Sequence, residues 1–225
     1  CNLCGGDRFI LIKSRLRDGQ TRYQVYRCIV CGHIQLLPRP TPEEDRQFYN
    51  QNQQDKSTGK IIEIERLRQN SYYDVSRYVR LLSARFHPNQ RLLDVGAGYG
   101  FLVEALRQAG YFQIYGVDIS EERVALARQA TDLEIMLADA VLPDERLGRF
   151  DGVTLFHVLE HIADPIAYLR ALRMHRLAEG GCLVCEVPNV DELMLEASPA
   201  YHDFYWIRAH LNYFSRTTLQ FVLQQ

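Results

Sequence analysis

The sequence predicts an α/β protein, a parallel sheet covered by helices on both faces, with a small cysteine-rich module in front of it. Three observations carry this expectation. Continuous apolar runs alternate with helical patterns from about residue 61 onward. A glycine-rich turn follows the first of those runs in "LLDVGAGYGF", Leu92 to Phe101. Two Cys-x-x-Cys-Gly pairs stand near the start of the chain.

In chain order, Cys1-x-x-Cys4-Gly5 and Cys28-x-x-Cys31-Gly32 flank a strand-like hairpin, "FILIKSR" and "RYQVYRC". The glycine after each pair lets the chain turn so that backbone amides face the thiolates, and four sulfurs so arranged suit a tetrahedral structural Zn2+. Two disulfides, which a cytosolic chain disfavours, or four unrelated thiols are the alternatives. A closed four-sulfur site leaves no position for substrate, so the ion would stabilise residues 1–40 and take no part in catalysis. Residues 41–60 are proline-rich and then polar, a linker with one short helix around Glu43 to Tyr49. The main domain is assigned to 61–225.

Within that domain Val75, Tyr78, Val79 and Leu82 fall on one helical face. "RLLDV" reads as the first strand. Leu102, Ala105, Leu106 and Ala109 make the next helix face, closed by Gly110. "IYGVD" is the second strand, and Ser120 caps the helix after it, with Glu121 and Glu122 in the first turn. "EIMLA", "FDGVTLF" and "CLVCEV" are later strands, and a helix from Pro165 runs toward Gly180, with proline at its first position. Cys182 and Cys185 fall in a strand, where residues three apart point to opposite faces, so core packing is expected of them.

The 225 residues are 47% hydrophobic and 24% charged, with a formal net charge of -2. That balance gives no general attraction to nucleic acid or to an anionic membrane. No apolar run approaches the roughly 20 residues of a membrane span, and no signal-peptide pattern opens the chain, which points to a cytoplasmic protein. Locally, Arg8, Lys13, Arg15, Arg17, Arg22, Arg27 and Arg39 outnumber Asp7 and Asp18, a bias that suits either phosphates or plain solvent.

In an open parallel sheet, ligands sit beyond the carboxyl ends of the strands, where "LLDVGAGYGF" places its glycines. The spacing is G-x-G-x-G, and a dinucleotide fingerprint needs G-x-G-x-x-G, which counts against a nicotinamide cofactor. Asp94-Val95-Gly96-Ala97-Gly98-Tyr99-Gly100 resembles the first motif of class I S-adenosylmethionine-dependent methyltransferases. Asp118 in "YGVDIS", Asp139 in "MLADA", the stretch "FDGVTLFHVLEHIADP" and "CEVPN" follow in that family's order, from about Arg91 to Asn189. The resemblance implies a Rossmann-like fold and S-adenosylmethionine as cofactor. It implies cofactor contacts at Asp94, Gly96, Ala97, Gly98, Gly100, Asp118, Ile119, Asp139, Ala140 and His157, with Asp118 on the ribose hydroxyls and Asp139 near the adenine amino group. The chain stops at Gln225 inside the amphipathic "SRTTLQFVLQQ", so the final antiparallel hairpin usual in that fold is expected to be absent.

Methyl transfer asks the protein to align a nucleophile and, for an O–H or C–H acceptor, to remove a proton. In "HVLEHIADP", a helix from His157 would set His157 and His161 on one face beside Glu160. His161 is the candidate base. A divalent-metal site is the alternative, since E-x-x-E-H stretches hold a metal in small-RNA 2′-O-methyltransferases and some quinone O-methyltransferases; packing beneath the cofactor is the third reading. The aromatic stretch "YHDFYWIRAHLNYFS", 201–215, reads as core or as a wall for an acceptor pocket. Together with the cysteine module it is similar to deoxysugar C-methyltransferases that act on nucleotide-linked keto sugars. Their Tyr-His-Glu-His stretch aligns with Ile207, Arg208, Ala209 and His210, so His210 alone is kept, as a second catalytic candidate. Arg208 is a candidate for an anionic group on the acceptor, and Tyr72 or Tyr73 for its pocket or for the core. The expected function is methyl transfer to a small molecule such as a nucleotide-linked sugar or secondary metabolite. An RNA methyltransferase gripping phosphates with its basic module, and a non-catalytic cofactor-binding module, are the alternatives.

Overall fold

The computed structural model describes residues 1–50, 64–131, 133, 135–142, 144 and 146–225, so most of the expected linker, 51–60, lies outside the described residues. The chain packs as two compact units. One joins Cys1–Asp45 to His157–Arg170 and Glu186–Gln225; the other joins Arg46–Phe156 to Ala171–Cys185. The segments after residue 156 are thus shared between both units.

In the second unit the described residues form a five-stranded sheet from β4 (Leu92–Val95), β5 (Ile114–Asp118), β6 (Ile135–Leu137), β7 (Phe150–Phe156) and β8 (Leu177–Glu186), in the order β6-β5-β4-β7-β8. β4 pairs in parallel with β5 and with β7, and β5 with β6. All four residues of β4 are buried, as a central strand covered on both faces requires. Successive strands run outward from β4 in one direction and then in the other. The strand order therefore reverses at its carboxyl end.

Helix α2 (Ile64–Ser83) buries Tyr78 and Leu82, with Val79 packed beside them, the stripe that the sequence period specifies. The Tyr78 ring stacks on Phe156 at the end of β7, centroids 3.8 Å apart. α3 (Phe101–Gln108) sends Leu102, Val103 and Leu106 into the same core, and α4 (Glu121–Ala130) starts on Ser120, whose side chain accepts from Arg123 N. α5 (Pro165–His175) stops at His175, short of Gly180. β8 then begins at Leu177, earlier than the apolar run CLVCEV suggests, because strand pairing carries the chain through the two glycines.

In the first unit β1 (Phe9–Lys13), β2 (Gln24–Cys28) and β3 (Ile34–Leu37) form an antiparallel meander. α1 (Pro42–Asn50) follows it. The aromatic stretch past residue 200 completes this unit. After the short helices α6 (Met194–Ala197) and α7 (Pro199–Tyr205), strand β9 (Asn212–Tyr213) pairs with β3, Gln35 opposite Asn212 and Ile34 opposite Tyr213. Tyr205, Trp206 and Tyr213 pack with Val25 and Leu36 in one core, while Phe214 packs with Leu3 and Leu159 in another. Of the two readings of this stretch, core and pocket wall, the burial of Tyr205, Trp206, Tyr213 and Phe214 favours core. α8 (Arg216–Leu223) closes the described chain on a capping box between Ser215 and Thr218.

Candidate functional site

The glycine turn leaves β4 where the strand order reverses. Gly96, Gly98 and Gly100 all lie in the left-handed region, with φ of 75°, 56° and 77°. The backbone itself therefore asks for glycine here. Gly96 N and Ala97 N both donate to Val117 O, at 2.9 and 3.0 Å, which pins the turn to β5. A Cβ on Gly98 would meet only Gly96 O at 3.9 Å, so bare backbone faces open space at that position, as a closely held ligand needs, whereas a Cβ on Gly100 would crowd Ile135.

Asp118 ends β5, 5% exposed. Its Oδ2 accepts from Gly98 N and its Oδ1 from Ser120 N, both at 2.9 Å. The carboxylate thus fixes the glycine turn and the start of α4, and each oxygen keeps a further lone pair. Asp94 is equally buried, and its Oδ1 accepts from Thr154 Oγ1 at 2.6 Å. Burial pushes the Asp94 carboxyl up to about 7; the Thr154 hydrogen bond opposes this and the charge of Asp118 adds to it.

A folded-state value raised in this way means that protonated Asp94 favours folding. Its contribution is complete below the unfolded value near pH 4 and is lost as pH climbs through about 7. Unfolding free energies of the ligand-free protein from urea titrations are expected to fall across that window relative to those of Asp94→Asn, by on the order of a few kcal/mol. Parallel curves for the two proteins would contradict the assignment.

Asp139 follows β6 and accepts from Val141 N at 3.1 Å. The sequence reading missed Arg176, which is buried and gives Nε to Ala140 O at 2.8 Å and a terminal nitrogen to Leu142 O. It holds the loop that carries Asp139 and Ala140. The signal was present, an arginine directly before an apolar strand, but its carbonyl partners lie more than thirty residues upstream. Ile119 is exposed beside Asp118.

The histidines belong to the first unit. The expected helix from His157 is not formed. His157 has φ 56°, the one non-glycine residue of that kind among the described residues, and a single 3-10 turn, Leu159–His161, follows it. The left-handed bend nevertheless brings the three side chains together. His157 Nδ1 lies 3.4 Å from Glu160 Oε1, its Nε2 3.5 Å from Glu186 Oε1, and His161 Nε2 3.9 Å from Glu160 Oε1. His157 is thus placed among carboxylates of the first unit, whereas the other expected cofactor residues belong to the second.

Glu160 is 1% exposed, and neither carboxylate oxygen has a partner in hydrogen-bond geometry. Burial acts to raise its carboxyl, but the neighbouring His157, and then His161, outweigh burial and hold it below the usual range. His161 Nδ1 meets Ala209 O at 2.8 Å. The ring of His210 stands edge-on to that of His161, centroids 5.0 Å apart, with its Nδ1 enclosed and without a partner. Burial, and then the charge of His161, lowers His210 to about 3, so it is a neutral imidazole at ordinary pH. Glu160, His161 and His210 offer three ligand atoms within 4.8 Å of one another, a trio in which His210 stands where the sequence suggested His157.

Two further candidates are corrected. Arg208 is buried, paired with Asp45 Oδ1 at 2.7 Å and laid over the Tyr23 ring, so it anchors its own unit. Tyr72 and Tyr73 are each 72% exposed and neither enters the core.

The cysteines gather as expected. Cys1 Sγ and Cys31 Sγ lie 3.6 Å apart, as do Cys4 Sγ and Cys28 Sγ. Tetrahedral zinc with bonds of about 2.3 Å puts its sulfurs roughly 3.8 Å apart, so the set fits such an ion. Cys182 packs on the sheet core.

The family described as "Methyltransferase domain" matches residues 66–225. The chain belongs to this methyltransferase family. Ubiquinone biosynthesis O-methyltransferase of Pseudomonas aeruginosa is 36% identical over 99 residues, 41% of each chain. Its counterpart in Xanthomonas campestris is 36% identical over 108 residues, 45% of this chain and 44% of that one. The chain thus spans less than half the length of these curated relatives. Among solved structures, magnesium protoporphyrin IX methyltransferase from Synechocystis, with bound SAH, superposes with a TM-score of 0.58 at 22% identity, covering 80% of this chain and 85% of that one. A SAM-dependent methyltransferase from Archaeoglobus fulgidus gives 0.51 at 24%, covering 68% and 66%. The sheet of the second unit is accordingly the Rossmann-like sheet of a class I methyltransferase. No helix among the described residues of this methyltransferase is long and apolar enough to cross a membrane.

Proposed function

We propose that the chain methylates an oxygen or carbon of a small molecule, such as a nucleotide-linked sugar or another metabolite, with S-adenosylmethionine as donor and His161 as base. The wiring of His161 carries this reading. A carbonyl can only accept, so the bond to Ala209 O holds the ring proton on Nδ1 and leaves the Nε2 lone pair toward the buried, ionised Glu160. A proton taken from the acceptor at Nε2 would make an imidazolium that this carboxylate stabilises. His210, kept neutral, stands edge-on to the His161 ring as a polar but uncharged neighbour.

When bound, the cofactor supplies a methyl group on a sulfonium, whose transfer leaves a neutral thioether. In our reading Gly96, Ala97, Gly98 and Gly100 take its amino-acid end and Asp118 its ribose, with Ile119, Asp139 and Ala140 around the adenine. His157, the remaining expected cofactor contact, belongs with Glu160 and Glu186 to the first unit. Asp94, once ionised, faces the cofactor's amino group. Residues 61–225 make the cofactor-binding part, and Cys1, Cys4, Cys28 and Cys31 hold a structural Zn2+ in a module drawn at 1–40. A cytoplasmic setting suits such thiolates.

The RNA reading loses support from the basic residues. Lys13 is paired with Asp203, Arg17 lies over Phe204, Arg22 is paired with Glu44, and Arg39 is turned onto Asn212. These four serve the fold of their own unit, which leaves few cations for phosphates.

The test begins with mass spectrometry of small molecules that co-purify with the native protein, followed by cofactor turnover on a panel of nucleotide-linked sugars and phenolic metabolites. Turnover on one acceptor class is expected, and His161→Asn should lower kcat by about 10²- to 10⁴-fold with cofactor affinity nearly unchanged. Undiminished turnover in that variant would move the base elsewhere. Tight cofactor binding without turnover on any acceptor would point to the non-catalytic reading.

A second reading rests on the Glu160 carboxylate, which accepts no hydrogen bond of good geometry. One carboxylate and two imidazoles within 4.8 Å of one another suit a divalent ion that would draw in an acceptor oxygen. Metal analysis separates the two. A second ion per chain, lost in Glu160→Gln, is the signature of the metal site.

A further inference from the structure

Asn212 is 0% exposed, and its amide has polar neighbours at both oxygen and nitrogen. Its Oδ1 accepts from Asn2 Nδ2 at 2.8 Å and from an Arg39 terminal nitrogen at 2.8 Å, and faces His33 Nε2 at 3.2 Å. Asn2 lies between Cys1 and Cys4, and His33 two residues after Cys31, so these donors come from the edges of the cysteine cluster. Its Nδ2 donates the other way, to Ile162 O at 2.6 Å. Ile162 is the residue after His161.

The surrounding chain repeats the connection. Leu211 N donates to Glu160 O at 2.8 Å, His161 Nδ1 donates to Ala209 O, and Asn2 Nδ2 also reaches Ala163 O at 3.1 Å. Residues 209–212 therefore run alongside 160–162 and hold them by three hydrogen bonds. A buried amide satisfied on both sides fixes its neighbours in one arrangement, since each broken bond would leave a polar group enclosed without a partner.

We infer that Asn212 is a positioning residue for His161, joining the 160–163 segment to the cysteine module so that the module sets which ring nitrogen of His161 carries the proton. The inference rests on the acceptor-side role proposed for His161 only for its consequence in catalysis; the linkage is a property of this unit alone. It holds whether Nε2 of His161 meets an acceptor proton or a metal ion. In either case the Nδ1–H must stay committed to Ala209 O.

Asn212→Asp tests it. The exchange is nearly isosteric and keeps an oxygen for Arg39, but it turns a second oxygen on the Ile162 carbonyl, so two acceptors meet and the clamp opens. The readout is the tautomer of His161, from ¹⁵N shifts of its two ring nitrogens in the full chain, with cofactor affinity measured alongside. Wild type is expected to be the Nδ1–H form, and Asn212→Asp to shift at least half of the neutral ring to the Nε2–H form that free histidine prefers, with cofactor affinity within about twofold. Asn2→Ala, which removes a donor from the rim of the network, should shift it part of the way and decides the matter should Asn212→Asp not fold. An Nδ1–H form unchanged in the variants that fold overturns the positioning role and leaves the base assignment standing. An Nε2–H form in wild type overturns both.

Discussion

Replacing Asp118 by alanine is expected to weaken S-adenosylmethionine binding by roughly 1.5–3 kcal/mol, on the order of ten- to a hundredfold. Two effects add. The variant removes the charged acceptor proposed for the ribose hydroxyls, and it also strands Gly98 N and Ser120 N, which the carboxylate now holds at 2.9 Å. The glycine turn would then keep its backbone bonds to Val117 but lose the tie at Gly98, and cost more to order on binding. Asp118→Asn separates the effects, because its one oxygen can keep one amide bond while the charge is gone. Calorimetry with S-adenosylmethionine should rank wild type, asparagine and alanine in falling order of affinity. Equal affinities would remove Asp118 from the cofactor site.

The second large effect is expected in the other unit. Cys28 is wholly buried at the end of β2, its sulfur 3.6 Å from that of Cys4, and its amide donates to His33 O at 2.8 Å. With zinc in place, Cys28→Ser removes a ligand and places a hydroxyl in a site shaped for a thiolate. A loss on the order of 4 kcal/mol or more is expected, because the energy of binding a structural metal is part of the folding energy of its module. The loss should stay below that of an isolated zinc finger, since Val25, Leu36, Trp206 and Tyr213 give this unit a core of its own. Metal analysis should read one zinc per chain in wild type and close to none in the variant. A melting temperature indifferent to strong chelators would mean that the cysteines hold no structural ion.

Burial sharpens the contrast between the two acids of the cofactor strands. Asp94 and Asp118 are similarly buried, yet Asp118 accepts two backbone amides while Asp94 has one hydroxyl donor and sits near 7. A ligand carrying an amino group would ionise Asp94 and release its proton. The local sequence says little to distinguish them, since each follows an apolar run at the carboxyl end of its strand. The difference comes from what the folded chain sets opposite each.

The strands of the second unit were legible because burial on both faces demands uninterrupted apolar runs, and the glycine turn because a left-handed backbone admits little else. Ser120 as a cap, the α2 stripe and the paired cysteine knuckles were legible for the same reason: each is a local rule with a short period. His157 escaped, because a left-handed non-glycine residue has no such rule and only its setting between Glu160 and Glu186 accounts for it. β9 escaped too, since two residues make a strand only when β3 is there to pair with them.

By itself, then, the sequence determined the α/β layering, the place and spacing of the glycine turn, its acids Asp94, Asp118 and Asp139, and the four-sulfur set. Tertiary structure alone decided that the aromatic stretch around Trp206 serves as core, that Arg208 and Arg39 point inward, and that Glu160, His161 and His210 meet. The physical reason is range. Periodicity, caps and φ preferences act over a few residues, whereas the contacts of Asn212 with Asn2, Arg39 and Ile162 exist only once segments 50 to 210 residues apart have been folded together.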